Sequence, residues 1–227
     1  MKQPVIEHTA DGSPTLYLSD LNEHYHSVKG ALTESMHVYV DTGWRAAAAL
    51  NNRLKVFEVG FGTGLNAALT ADAALAGKVY TEYHSVELHP LPADLTAMMG
   101  YDKLAPFYDA VNRAPWNTRV RINDFFFLTK SAGNFLTMEL PENIAVVYFD
   151  AFAPEKQPEM WSPEVFNRLY EAMIPDAILS TYCAKGEVRR RIQSAGFMVE
   201  RLPGPPGGKR EILRATRSRL QELAREQ

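Results

Sequence analysis

The sequence predicts an α/β protein: a mostly parallel sheet with helices on both faces and a small N-terminal extension. Three observations lead there. From residue 54 onward, β-rich runs alternate with helical ones, the order of parallel strands joined by crossover helices. The run IAVVYF at 144–149 is apolar at every position, as a strand covered on both faces requires. At 56–66 a short apolar-rich run passes into Gly60-Phe61-Gly62-Thr63-Gly64 and then into an Ala/Leu-rich segment, which reads as strand, turn and helix.

The elements follow in order. Asp11-Gly12 and Pro14 signal turns, and 15–18 reads as a short strand. Residues 33–40 fit helix or strand equally, while 44–52, with four consecutive alanines, reads as helix. A buried strand is expected at 54–59, a helix at 65–76 and a strand at 79–88. Helices are expected at 91–99 and 102–112, and strands at 125–130 and 144–149. Ser162 and Pro163 mark the start of a helix over 163–173. A strand at 177–183, a helix at 185–195 closed by Gly196, and two strands at 197–202 and 211–215 complete the chain. The last two pair as a hairpin across the Pro/Gly loop 203–208. Residues 1–44 form a lead-in packed on the core, and 45–227 form the main unit.

The 227 residues are 46% apolar and 22% charged, which excludes a wholly disordered chain. No run approaches the roughly 18 apolar residues of a membrane span. The start MKQPVIEHTADGSP lacks the apolar centre of a secretory signal, and Cys183 is the one thiol. A cytoplasmic setting is therefore expected, with neither disulfide nor multi-cysteine zinc site. Between Lys185 and Arg219 stand ten Lys/Arg against three Glu, and elsewhere 14 basic residues against 24 acidic. Such a basic segment on an acidic body suits a polyanion or is an ordinary solvated helix face.

The motifs carry more. Glu58 stands two residues before the first glycine of G-x-G-x-G. A glycine turn alone is shared with nicotinamide enzymes, or is simply structural. A carboxylate there repels a pyrophosphate but suits a ligand bearing an ammonium and a sulfonium, namely S-adenosylmethionine. Glu87 ends the next strand, where an acid can accept hydrogen bonds from two ribose hydroxyls or be a plain surface residue. Asp150 ends the apolar strand, followed by Phe152 and Pro154. In a sheet that binds beyond its strand ends, that position faces the reacting group; the alternative is an acid capping a loop. No H-E-x-x-H or comparable ligand set is present, so no metal is expected.

The segments DGSPTLYLSDLNEHYHSVKGALTESMHVYV, FEVGFGTGLN, YHSVELHPL, YFDAFAPEKQPEMW, LSTYCAKGEVRRRIQSAGF and GGKREIL, spread over about residues 9–215, resemble the methyltransferases of tRNA 5-methylaminomethyl-2-thiouridine biosynthesis. That family occurs alone or as the N-terminal half of a bifunctional protein. The glycine loop is generic, whereas DAFAPEKQPEMW and YCAKGEVRRRIQSAGF are specific. The resemblance implies a Rossmann-like class I S-adenosylmethionine-dependent fold with a seven-stranded sheet. It implies methylation of the primary amine of 5-aminomethyl-(2-thio)uridine at the tRNA wobble position, leaving S-adenosylhomocysteine.

By the same resemblance Glu58, Gly60, Gly62, Thr63, Gly64 and Asn66 hold the methionine end, Glu87 the ribose, and Glu34 lies near the cofactor. Asp150 faces the amine, with Phe152, Pro154 and Tyr182 shaping that wall. The family's acid for the adenine amino group is replaced by Asn134, with Asp124 as rival. Lys209 and Arg210 are the RNA-facing candidates for the tRNA anticodon stem-loop; Arg189, Arg190 and Arg191 cannot all share one helix face. No obligate protein partner is expected, and no FAD, because the sequence ends at Gln227; the aminomethyl group is made elsewhere. A free Asp of pKa about 3.9 would take a proton from an amine of about 10.4 at a cost of roughly 9 kcal/mol. Asp150 is thus expected to orient the amine unless burial raises its pKa. The competing functions are a small-molecule amine N-methyltransferase and a non-catalytic S-adenosylmethionine- or RNA-binding module.

Overall fold

The computed structural model describes residues 3–218. Strands β1 (Val5–His8), β2 (Pro14–Leu18) and β3 (Glu23–His24) form a small antiparallel sheet in that order. The chain then enters one continuous helical stretch over 31–48, α-helical at Ala31–Glu34 and Ala46–Ala48 and wider-wound, with π-type hydrogen bonds, over Ser35–Arg45. This settles the ambiguity at 33–40 as helix. Val38, Tyr39, Val40 and Trp44 are all buried, so tertiary packing outweighs the weak helix propensity of the β-branched residues. The stretch crosses residue 44, and lead-in residues Leu16, Ala31 and Val38 share one apolar cluster with the main sheet.

Among the described residues the main sheet has eight strands, not seven. In chain order they are β4 (Arg53–Val59), β5 (Tyr80–Glu87), β6 (Arg119–Asn123), β7 (Phe126–Ala132), β8 (Ile144–Phe149), β9 (Met173–Thr181), β10 (Met198–Pro203) and β11 (Glu211–Thr216). Their order across the sheet is β10-β11-β9-β8-β4-β5-β7-β6. The five central strands are parallel, β6 and β11 run antiparallel to them, and the edge strand β10 pairs antiparallel with β11. The added strand is β6, a short charged edge whose Arg119 and Arg121 face solvent, the usual guard against edge pairing. The helix expected at 102–112 is broken into a single turn at Tyr101–Lys103 and a helix at Tyr108–Arg113, with Pro106 between.

Helices Leu65–Gly77 and Tyr108–Arg113 cover one face together with the 31–48 stretch; Pro163–Ala172 and Gly186–Ser194 cover the other. Strand β8 shows why both faces must be covered: Val146 and Tyr148 enter one cluster, Val147 and Phe149 the other. After β4 the chain builds outward through β5 to β7, then returns to the other side of β4 as β8. The reversal opens a crevice beyond the C-terminal ends of β4 and β8.

The 31–48 helix lies close on the sheet at Gly43. A Cβ there would stand 2.9 Å from Ser180 Oγ and 3.0 Å from Tyr148 Cε1. Gly43→Val is therefore expected to push the helix off β8 and β9 and to cost about 1–3 kcal/mol by overpacking. Urea melts of the two chains check this, and an unchanged midpoint would show that the helix can shift without loss.

Candidate functional site

A cavity of about 550 Å³ opens at that crevice, within the size range of small-molecule sites. Its floor comes from the ends of β4 and β8. Asp150 N donates to Val59 O at 3.1 Å, which sets Asp150 beside Gly60. Gly60 has φ 90°, and a Cβ on it would stand 2.8 Å from the Asp150 carbonyl oxygen, so only glycine fits. Gly64, φ 80°, is the residue from which helix Leu65–Gly77 starts.

Asp150 is the focus. Tyr39 Oη donates to its Oδ1 at 2.5 Å, and Asn66 Nδ2 donates to its Oδ2 at 2.9 Å. Burial pushes its pKa up to about 7, with the nearby Glu34 acting in the same direction against the two hydrogen bonds and Lys209. Behind it stands Glu58, fully buried. Ser85 Oγ donates to Glu58 Oε2 at 2.7 Å, and burial pushes this carboxyl up to about 8.

The loop after β8 is pinned on both sides of Phe152. Its N–H donates to Gln157 Oε1 at 3.1 Å, and its carbonyl accepts from Trp161 Nε1 at 2.8 Å. Trp161 is itself buried against Phe149, ring centroids 4.9 Å apart. This is the physical content of the DAFAPEKQPEMW string: Gln157 and Trp161 shape the wall that Phe152 presents. Tyr182 Oη donates to Ala151 O at 2.8 Å on the same wall.

The opposite wall is built around Glu87. Its Oε2 accepts from Gly62 N at 3.0 Å and its Oε1 from His89 N at 2.9 Å, so the glycine turn orients the carboxylate. Asn134 also lines the cavity; its Oδ1 accepts from Leu136 N at 2.9 Å and keeps a second lone pair. The rival Asp124 is exposed on the β6–β7 turn, paired to Arg121, and takes no part in the wall.

The lead-in supplies the roof. Tyr25 packs edge-on against Phe152, ring centroids 5.4 Å apart. His26 bridges Thr15 Oγ1 and Thr63 Oγ1 at 3.3 Å each, and burial pushes its pKa down to about 4, so it is neutral near pH 7.

Of the residues expected at the site, Glu34, Gly60, Gly62, Thr63, Asn66, Glu87, Asn134, Asp150, Phe152, Tyr182 and Lys209 line one cavity. Glu58, Gly64, Pro154 and Arg210 do not. Glu58 misses it because side chains alternate along β4, and its carboxyl points into the protein on the face of Val56. Arg210 is exposed, whereas Lys209 turns inward to Glu34. Arg191 is also turned inward, donating to Trp161 O at 2.9 Å. Tyr39 and Tyr25 escaped the sequence reading; their partners lie far along the chain, and no local spacing signals them. Five carboxylates (Glu23, Glu34, Glu87, Asp150 and Glu159) and one lysine line the cavity, a field that draws cations and repels a pyrophosphate. Among the described residues no cluster of His, Cys, Asp and Glu has the makings of a metal site, and no helix is long and apolar enough to cross a membrane.

Comparison with known proteins agrees with this geometry. Residues 124–218 match the family model described as S-adenosyl-L-methionine-dependent methyltransferase. The structure of MNMC2 from Aquifex aeolicus superposes with a TM-score of 0.78 at 25% identity, covering 96% of this chain and 71% of that one. The fold is that of the class I S-adenosylmethionine-dependent methyltransferases.

The MnmC protein of Cupriavidus necator, named a tRNA 5-methylaminomethyl-2-thiouridine biosynthesis bifunctional protein, is 33% identical over 219 residues, 89% of this chain and 32% of that protein. Its namesake in Pseudomonas fluorescens is 36% identical over 211 residues, 84% of this chain and 31% of that protein. Within that fold class the chain is similar to the MnmC proteins over most of its length. It spans about a third of the length of the curated relatives it matches.

The buried Glu58 yields a stability test. Its folded pKa, about 8, lies above the ordinary glutamate value of 4.5, so the folded chain retains a proton that the unfolded chain releases. That contribution is complete below about 4.5 and is lost as pH rises toward and through 8. Thermal melts at pH 6 and pH 8.5 are expected to show the native chain less stable at the higher pH. Glu58→Gln, which keeps shape without the titration, should flatten the difference. An equal slope in both chains would remove Glu58 as its source.

Proposed function

We propose that the chain methylates the primary amine of 5-aminomethyl-(2-thio)uridine at the wobble position of tRNA, with S-adenosylmethionine as donor. The observation that carries the reading is a desolvated carboxylate, Asp150, held by two donors at the floor of an acid-lined cavity. Similarity supports the substrate: the relatives it matches are named for tRNA 5-methylaminomethyl-2-thiouridine biosynthesis.

The residues present fit the donor. Glu87, oriented by Gly62, would take the ribose hydroxyls, and Asn134, with one lone pair left, would take the adenine amino group. The turn from Gly60 to Gly64 with Thr63 and Asn66 would hold the methionine end. Glu58 supports that end from behind, through its burial beside Asn66, rather than by contact. When bound, S-adenosylmethionine supplies a methyl group on a sulfonium sulfur.

The chain's own task is to present the amine with a free lone pair. An ammonium of pKa about 10.4 must lose a proton. With Asp150 near 7, transfer to it costs about 5 kcal/mol at roughly 1.4 per pKa unit. Burial thus makes Asp150 a competent acceptor as well as an orienting group. Tyr39 and Asn66 fix both carboxylate oxygens in place, and once Asp150 has passed the proton to water its ionised form would stabilise positive charge growing on nitrogen. Phe152, Tyr182 and Tyr25 wall the acceptor side and exclude water.

The test is methylation of tRNA from cells that stop at the aminomethyl stage, read by nucleoside mass spectrometry. The product expected is 5-methylaminomethyl-type uridine; methylation of free amines in preference to that tRNA would overturn the reading. Asp150→Ala is expected to bind S-adenosylhomocysteine within a fewfold of the native chain yet lose a hundredfold or more in kcat, on the order of a lost acid–base group. The acid limb of the native rate profile should bend near pH 7. Tyr39→Phe removes a hydrogen bond that favours the ionised Asp150, so its limb should move to higher pH; a shift downward would contradict the arrangement.

A further inference from the structure

A primary ammonium already stands inside the cavity. Lys209, on the loop between β10 and β11, places Nζ 3.5 Å from the centroid of the Tyr182 ring and 3.5 Å from Glu34 Oε1. The loop is held shut at its base, where Gly204 N donates to Arg210 O at 3.0 Å. Glu34 lies 8% exposed in the cavity wall. Its Oε2 accepts from Ser27 N at 2.8 Å, but its Oε1 has no hydrogen-bond donor. A buried carboxylate oxygen thus faces the cavity with an ion pair at the outer limit of contact. Tyr182, tied through its hydroxyl to Ala151 O, turns its ring face to the same spot. An aromatic face beside a carboxylate is the chemistry that selects an ammonium. Lys209 fills this place poorly, its side chain 42% exposed and short of hydrogen-bonding distance.

We propose that Glu34 and Tyr182 form a receptor for a primary ammonium group carried by a ligand, and that Lys209 is an internal competitor which that ligand displaces. The inference rests on the proposed function for the ligand's identity, which offers two such groups. One is the aminomethyl group of the acceptor uridine; the other is the α-ammonium at the methionine end of the cofactor. Both would gain the hydrogen bond to Glu34 Oε1 that Lys209 does not make. The competition also assigns Lys209 an unusual sign. A lysine that simply contacts RNA phosphate weakens binding when removed, whereas a competitor strengthens it.

The test uses the full chain and its Lys209→Met and Glu34→Gln variants, with melts confirming that each folds. Three probes are titrated: S-adenosylhomocysteine, methylthioadenosine, which lacks the amino-acid end, and an anticodon stem-loop with or without the aminomethyl group. Lys209→Met is expected to tighten binding of the ammonium-bearing probe severalfold. Glu34→Gln is expected to weaken it roughly tenfold to a hundredfold, the range of a hydrogen bond to a charged group. Movement confined to the aminomethyl stem-loop, relative to the plain one, assigns the receptor to the acceptor. Movement confined to S-adenosylhomocysteine, relative to methylthioadenosine, assigns it to the cofactor. Weaker binding in Lys209→Met, or no change in either variant on any probe, overturns the proposal. Native chain that fails to methylate the aminomethyl stem-loop counts against the proposed function alone, because the S-adenosylhomocysteine titration still reads the receptor.

Discussion

The fold and its chemistry meet in the carboxylate of Asp150, held away from bulk water by Tyr39 and Asn66. Each donor arrives on a different element, so the interaction makes structural demands well beyond the cavity. Tyr39 reaches the strand end because the 31–48 helix lies directly on β8, and it lies there because residue 43 has no side chain. Asn66 reaches it from the first turn of the helix that Gly64 starts. Asp150 itself is set by the hydrogen bond from its N–H to Val59 O and by the missing side chain at Gly60. Four places in the chain thus converge on one pair of oxygens.

The buried acid behind that point extends the same logic. Glu58 lies close enough to Asp150 that a charge on Asp150 raises the cost of ionising Glu58. Burial keeps a proton on Glu58 near pH 7, so at most one negative charge stands at the cavity floor. Asn66, which donates to Asp150, also lies beside Glu58, where its amide favours the ionised carboxylate against the larger effect of burial.

How far the sequence discloses this depends on how local each cause is. The glycine turn, Glu87 and Asp150 were legible because each sits at a strand end, and strand ends follow from apolar runs and turn residues within a few positions. The Phe152 wall was legible for a similar reason: Gln157 and Trp161, which bond its backbone, lie within nine residues of it. Tyr39 was not, since its partner lies 111 residues away and its own stretch carries β-branched residues that blur helix and strand. Glu58 was assigned to the ligand from its spacing to the glycines, but strand alternation decides which way it points. Strand β6 was missed because a short charged edge has none of the apolar signal that marks a central strand. Lys209 was read by its charge as facing RNA, and only the folded chain shows the carboxylate it meets.

The lead-in sheet belongs to this chemistry as much as the central strands do. Desolvation is the largest influence on Asp150, and desolvation needs a roof. Tyr25 and His26 provide it, the first by packing on Phe152 and the second by joining Thr15 of the lead-in to Thr63 of the glycine turn. A charged His26 would place a cation within the same wall and draw Asp150 toward its ionised form, lowering its power to take a proton. Burial keeps the imidazole neutral above about pH 4, so the roof closes the cavity without altering its charge. An apolar residue could exclude water equally well, but it could not join the two hydroxyls. The imidazole does both, and this ties the setting of Asp150 to the docking of residues 3–30.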